Sequence, residues 1–313
     1  MINEKRLLDT FIGYAMIDSE TKNEKAMGEK LVEDLKALGL EVKTDKAGEG
    51  FGSNGFNVCA YLPGTIPGEP TIMCAHMDTV TPGNGIKPLI DDGIIHTDGS
   101  TILSGDDKSG IAAIMEAVKV IKEQNLPCRN TEILFTIGEE GGMNGVKNMD
   151  LSMIKGKEAM VFDASGDVGK ILTCGPGQIK IFATIIGRSS HAGLAPEEGI
   201  SAIQVAAKGI AKMNLLRIDE ETTCNIGTLK AEYATNIVPE KAEFVAEVRS
   251  RNLDKLNAQA AHMQKCLQDA CDEMGAKLEI ELKTNYVSFN VANDDPMVQR
   301  VFESCKRIGC EPM

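Results

Sequence analysis

The sequence holds no run approaching the roughly 18 apolar residues of a membrane-crossing helix, no C-x-x-C pair, no G-x-x-x-x-G-K-[ST] stretch and no excess of basic residues. Each absence removes a class of function. Without a long apolar run no spanning helix is expected, and the membrane drops out as a partner. Nine cysteines, an odd number without a C-x-x-C pair, suggest neither a disulfide framework nor a zinc ribbon and read as reduced core thiols. The missing phosphate-loop pattern leaves the glycine stretches "GSNG" and "GEEGGMNG" with no nucleotide to cradle. A formal net charge of −13 argues against nucleic acid, whose phosphates need a basic surface, and favours cations. The amino terminus, "MINEKRLLDTFIGYAMIDSE", lacks the apolar block and small-residue cleavage site of a secretory signal, so the expected location is the cytoplasm.

At 313 residues, with 42% apolar and 25% charged side chains, the chain has the balance of an ordinary globular protein and the length of two domains, or of one large domain with an insertion. No internal repeat or low-complexity segment interrupts it. Met27, Leu31, Leu35 and Leu38 recur on one helical face of residues 21–38, and Gly39 follows as a C-cap. Short apolar strands at 58–62, 71–75, 132–137 and 159–162 alternate with a helix over 109–124, the pattern of an α/β domain on a mainly parallel sheet. After "TCGPGQ" the order becomes strand 179–187, helix 199–213, strands 222–229 and 241–249, helix 253–274 and strand 277–286. That is the βαββαβ order of a ferredoxin-like sandwich. Residues 296–308 form a further amphipathic helix, so the second domain reads as an insertion, 176–286, between 1–175 and 287–313.

The stretch "TIMCAHMDTV" at 71–80 ends an apolar strand in His76 and, two residues on, Asp78. A lone histidine beside apolar residues is more often structural than a ligand, so partners decide. Three acidic sites share its placement directly after a strand or turn: Asp106 in "SGDDKSG", Glu139 and Glu140 in "LFTIGEEGG", and Asp163 in "MVFDAS". In α/β sheets the carboxyl ends of the strands carry the ligands. Carboxylates crowded there repel one another and resist burial unless cations join them. One imidazole with several carboxylates suits zinc, cobalt or manganese without a thiolate. A Glu-Glu pair supplies two tasks, one carboxylate on metal and its neighbour free to take a proton from water. His76 then reads as a ligand and Asp78 as the carboxylate that holds its ring. His96 in an apparent hairpin, His262 on a helix surface, the Asp91–Asp92 turn and Arg251 read as solvated residues.

In this order "HMDTV", "GDDKSG", "GEEGG", "FDAS" and "SSHAG" resemble the dinuclear zinc metallopeptidase family that includes peptidase T, carboxypeptidase G, succinyl-diaminopimelate desuccinylase and aminoacylase. The chain is most similar to the peptidase T-like branch, over essentially its whole length. The resemblance implies a zinc-exopeptidase-like α/β catalytic domain with an inserted ferredoxin-like lid that also forms a homodimer. It implies two divalent metal ions, zinc with cobalt or manganese as alternatives: His76 and Asp163 on one, Glu140 on the other, Asp106 bridging both, and a cis peptide from Asp106 to Asp107. Glu139 is then the general base, Asp78 the orienter of His76, and His191 the oxyanion donor across the dimer, while Asn236 and Arg249 bind a substrate carboxylate. The implied activity is hydrolysis of amide bonds in small peptides, as an aminopeptidase of the tripeptidase kind. An N-acyl amino acid deacylase or carboxypeptidase is the alternative, because Asn236 and Arg249 require only a carboxylate near the scissile amide.

One departure from that family pattern stands out. The family completes its second metal site with a histidine near the carboxyl terminus, after a Gly-Gly-Ser-Asp stretch. Among His76, His96, His191 and His262, only His262, on the lid helix, follows Asn236. The chain ends at "RIGCEPM" where another strand is due. The expectation is therefore a truncated chain with a weakened second site, and an inactive remnant is the third functional alternative.

Overall fold

Asn3 opens helix α1 (Glu4–Ala15) by accepting a hydrogen bond from the Arg6 amide, and the helix buries Phe11, Tyr14 and Ala15. The computed structural model describes residues 1–313, which divide into Met1–Asp167 and Val168–Met313. No helix is long and apolar enough to cross a membrane.

In the first unit, helix α2 (Lys25–Ala37) turns Met27, Leu31 and Leu35 inward and ends before Gly39, whose φ of +73° suits the residue without a Cβ. It is shorter than the expected 21–38 because Thr21 to Asn23 form a turn ahead of it, closed by a bond from the Asn23 amide to the Glu20 carbonyl. Five strands build the sheet: β1 (Glu41–Thr44), β2 (Val58–Leu62), β3 (Thr71–His76), β6 (Thr131–Thr136) and β7 (Glu158–Val161). Their order is β1-β2-β6-β3-β7. The core trio β6, β3 and β7 is parallel, whereas β2 runs antiparallel to both of its neighbours, β6 and β1, so the sheet is mixed toward one edge. The side hairpin β4 (Leu89–Asp91) and β5 (Ile94–His96) carries His96 against Asp91 at 2.7 Å. Helix α3 (Gly105–Glu123) packs Ile111, Ile114, Met115 and Val118 into the core, with Asp106 and Asp107 out of helical geometry at its start. Its Glu116, 3% exposed, receives Arg6 Nε at 2.7 Å and the Asn3 amide at 2.9 Å, which docks α1 on α3. The short helix α4 (Asn144–Lys147) follows the loop after β6.

The second unit contains β9 (Gly177–Ile186), α5 (Ala202–Ile210), β11 (Thr222–Lys230), β12 (Lys241–Ser250), α6 (Leu253–Met274) and β13 (Lys277–Tyr286), the expected βαββαβ succession. The short β10 (Leu216–Arg217) extends the antiparallel sheet to β10-β11-β12-β9-β13. Alternation sets its inner face: Ile179, Ile181, Ala183 and Ile185 of β9 and Ala242, Phe244, Ala246 and Val248 of β12 are buried with Leu256, Met263 and Leu267 of α6. His262 is half-buried rather than fully solvated, and its Nε2 accepts from the Asn214 amide at 3.2 Å. Residues 168–175 and 287–313 associate with each other. β14 (Phe289–Asn290) pairs with β8 (Cys174–Gly175), the Ile171 amide bonds the Met313 carbonyl, and helix α7 (Pro296–Arg307) buries Val298 and Cys305.

Candidate metal centre

Because β6, β3 and β7 are parallel, their carboxyl ends lie on one side of the sheet, where open α/β sheets bind ligands. His76 is the last residue of β3, the Gly138–Gly142 loop leaves β6, and Asp163 follows β7 by two residues. Asp106 joins them from the start of α3, and the Asp106–Asp107 peptide is cis, as the resemblance implies.

His76 is 3% exposed, and each ring nitrogen has a defined partner. Nδ1 lies 2.9 Å from the Asp78 carbonyl oxygen and 3.4 Å from its carboxylate, which assigns the Nδ1 proton there. Nε2 is left facing Asp106 at 2.9 Å and Asp163 at 3.7 Å. Two sets of donor atoms, His76 with Asp106 and Glu140, and His76 with Glu139 and Asp163, each lie within 4.8 Å of one another. Asp78, fully buried, does more than face the ring. Its carboxylate accepts the Glu139 amide at 2.9 Å, the Glu140 amide at 3.1 Å and the Thr21 hydroxyl at 2.8 Å, so one side chain positions His76 and both glutamates.

The protonation pattern is that of a cluster waiting for positive charge. Burial opposes a charged His76, but the Asp163 and Asp78 carboxylates outweigh it and push the ring up to about 12. Burial also raises Glu139, Glu140 and Asp106, and takes Asp107 up to about 8. Asp163 is lowered, chiefly by its hydrogen bond to His76. Asp78 stays below the usual carboxylate range, because its bonds from His76, the Glu139 amide and Thr21 exceed the burial penalty. The shared direction of these shifts shows a site that favours added positive charge. One neutral imidazole with several carboxylates fits a divalent cation and needs no thiolate.

The remaining expected site residues lie on the second unit. His191 is exposed, its Nδ1 accepts the Gly193 amide at 3.1 Å, and it stands beside Asn236 through a bond from the Ala192 amide to the Asn236 carbonyl at 2.9 Å. Arg249 on β12 forms a fork with Glu247, Nε to Oε1 at 2.8 Å and Nη2 to Oε2 at 3.3 Å. Thr21 escaped the sequence reading because it looked like part of a helix. Lys108, with no exposed surface and its Nζ on the Ile17 carbonyl at 2.6 Å, sat unremarked inside "GDDKSG".

Comparison with known proteins agrees with this architecture. Residues 176–275 match the peptidase dimerisation domain and residues 57–174 match peptidase family M28. The chain is 42% identical over 309 residues to the uncharacterized protein YqjE of Bacillus subtilis (strain 168), covering 99% of this chain and 83% of that one. It is 26% identical to peptidase T of Pasteurella multocida, covering 100% of this chain and 86% of the relative. Among solved structures, aminopeptidase PepT from Bacillus cereus superposes with a TM-score of 0.95 at 42% identity, covering 100% of this chain and 84% of that one. A tripeptidase from Staphylococcus aureus gives 0.95 at 39% identity, covering 99% and 83%. With a metal-suited cluster on the first unit, a ferredoxin-like second unit and full-length similarity at this level, the chain belongs to the peptidase T-like branch of the M20 metallopeptidases.

Proposed function

We propose that the chain is an aminopeptidase that releases residues from small peptides, tripeptides first, with His76, Asp163, Asp106 and Glu140 holding two divalent cations. Zinc is the metal of first choice, with cobalt and manganese as alternatives. The observation that carries the reading is His76 Nε2 facing Asp106 at 2.9 Å and Asp163 at 3.7 Å, with Nδ1 already committed to Asp78, so that a divalent cation can take the place of the proton between imidazole and carboxylates. When bound, such cations would lower the pKa of a water molecule and polarise the amide carbonyl. Glu139, half-buried and raised by that burial, is the base that takes the water's proton and passes it to the leaving amine. Its neighbour Glu140 is the more exposed of the two and serves as ligand. Asp78 fixes the His76 ring and the two glutamate amides. His191 offsets the oxyanion, and Asn236 and Arg249 receive a substrate carboxylate, with the Glu247 fork holding the Arg249 guanidinium in place.

The second unit is assigned as lid and homodimerisation domain, 176–286, and residues 168–175 with 287–313, which pair with each other, as an extension of the catalytic domain. The assigned location is the cytoplasm. A substrate panel tests the activity: free-amine tripeptides should be hydrolysed in preference to N-acetylated amino acids. The reverse order would favour an N-acyl amino acid deacylase, because Arg249 could hold the carboxylate of either substrate.

A further inference from the structure

The loop that carries Glu139 and Glu140 closes at a neck. The Gly145 amide donates to the Ile137 carbonyl at 3.0 Å and the Asn144 amide to the Gly138 carbonyl at 2.8 Å. A Cβ at Gly145 would sit 2.0 Å from the Ile137 carbonyl oxygen and 2.8 Å from Asn57 Oδ1, so the neck admits only glycine there. Asn57, immediately before β2 and without exposed surface, spans this neck. Its Oδ1 accepts the Ile137 amide at 3.1 Å and its Nδ2 donates to the Gly145 carbonyl at 3.0 Å.

Asp45 decides which way the Asn57 amide faces. Asp45 Oδ2 accepts Asn57 Nδ2 at 2.8 Å, and Asp45 Oδ1 accepts the Asn57 and Ala47 backbone amides, each at 3.0 Å. A carboxylate only accepts, so the NH₂ group must face Asp45 and the carbonyl oxygen must face Ile137. Both Nδ2 protons and the oxygen are then used. Neither a carboxylate nor an aliphatic side chain could both accept from Ile137 and donate to Gly145.

We infer that Asn57, oriented by Asp45, is a positioning residue for Glu139 and Glu140. It fixes the neck of their loop, while Asp78 fixes the tip through their two amides. This rests on the roles proposed above for the two glutamates. A reacting group displaced by about 1 Å can lose on the order of 10²-fold in rate, and a loop held only at its tip has that freedom.

The test uses the full chain loaded with zinc and compares the parent with Asn57→Ala, Asp45→Asn and Glu139→Gln. The readouts are kcat and KM on a tripeptide, zinc affinity, urea unfolding and hydrogen–deuterium exchange over residues 137–146. Both clamp variants should lower kcat about 10- to 100-fold per folded molecule, with KM within about threefold, and should speed exchange over that segment selectively. A purely structural role would instead lower the urea midpoint and leave kcat per folded molecule within about twofold, which would overturn the inference, as would unchanged exchange. If Asn57→Ala fails to fold, Asp45→Asn decides alone, since it leaves Asn57 in place and removes the outer acceptor of the clamp together with the longer bond from the Asp150 amide at 3.3 Å. Undiminished activity in Glu139→Gln would sink the functional reading instead, and the exchange data would still decide whether Asn57 holds the loop.

Discussion

Replacing Asp78 with asparagine keeps the side chain's shape and removes its charge and one acceptor. In one amide orientation the NH₂ group meets the Glu140 N–H, in the other the Glu139 N–H, because the two amides bond different carboxylate oxygens. Either way a donor loses its acceptor, at about 1–3 kcal/mol. The bonds that survive fall from charged to neutral strength, about 1 kcal/mol each. With one or two bonds surviving, a total of roughly 2–5 kcal/mol follows, read from the urea midpoint with the slope unchanged. The His76 ring loses the charge 3.4 Å from Nδ1, and removal of such a partner weakens metal binding about 10- to 100-fold. Zinc titration by calorimetry measures that second effect independently of the first. A variant with parental zinc affinity and stability would refute the view that Asp78 ties His76 and the glutamate loop together.

Glu139→Gln should lower the rate by about 10² to 10⁴ while leaving metal content unchanged, since it removes a base and keeps the shape. Loss of metal measured by elemental analysis would make Glu139 a ligand, a role that its nearness to His76 and Asp163 makes a pointed alternative. Lys108 gives a pH signature, because burial pulls its pKa from 10.5 down to about 8. Between those values the unfolded chain holds the proton that the folded chain has released, so stability should rise with pH through that window. Lys108→Met should lack this rise. A parent-minus-variant difference in urea midpoint that stays flat from pH 8 to 10 would count against a buried, depressed amine.

Much of the fold was legible because its signals are local. The period-3.6 faces of α2, α3 and α6 and the period-2 face of β12 appear in the sequence as they pack. Helix α1 and strand β1 carried no clear signal. The first has charges spread among its apolar residues, and the second is a four-residue edge strand with an exposed burial pattern. Of the site, His76, Asp106, Glu139, Glu140 and Asp163 were visible because each follows an apolar strand or marks a glycine-rich turn. The supports were not. Thr21, Asn57 and Asp45 act through hydrogen bonds to residues 12 to 88 positions away, which no spacing rule announces.

The most direct test of the central claim strips the full chain of metal, then measures hydrolysis of a free-amine tripeptide as zinc, cobalt or manganese is returned in separate titrations. The account expects no turnover without metal, recovery with at least one of the three ions, and no recovery in Glu139→Gln at equal metal content. Hydrolysis that survives complete metal removal, or full activity in the glutamine variant, would contradict it.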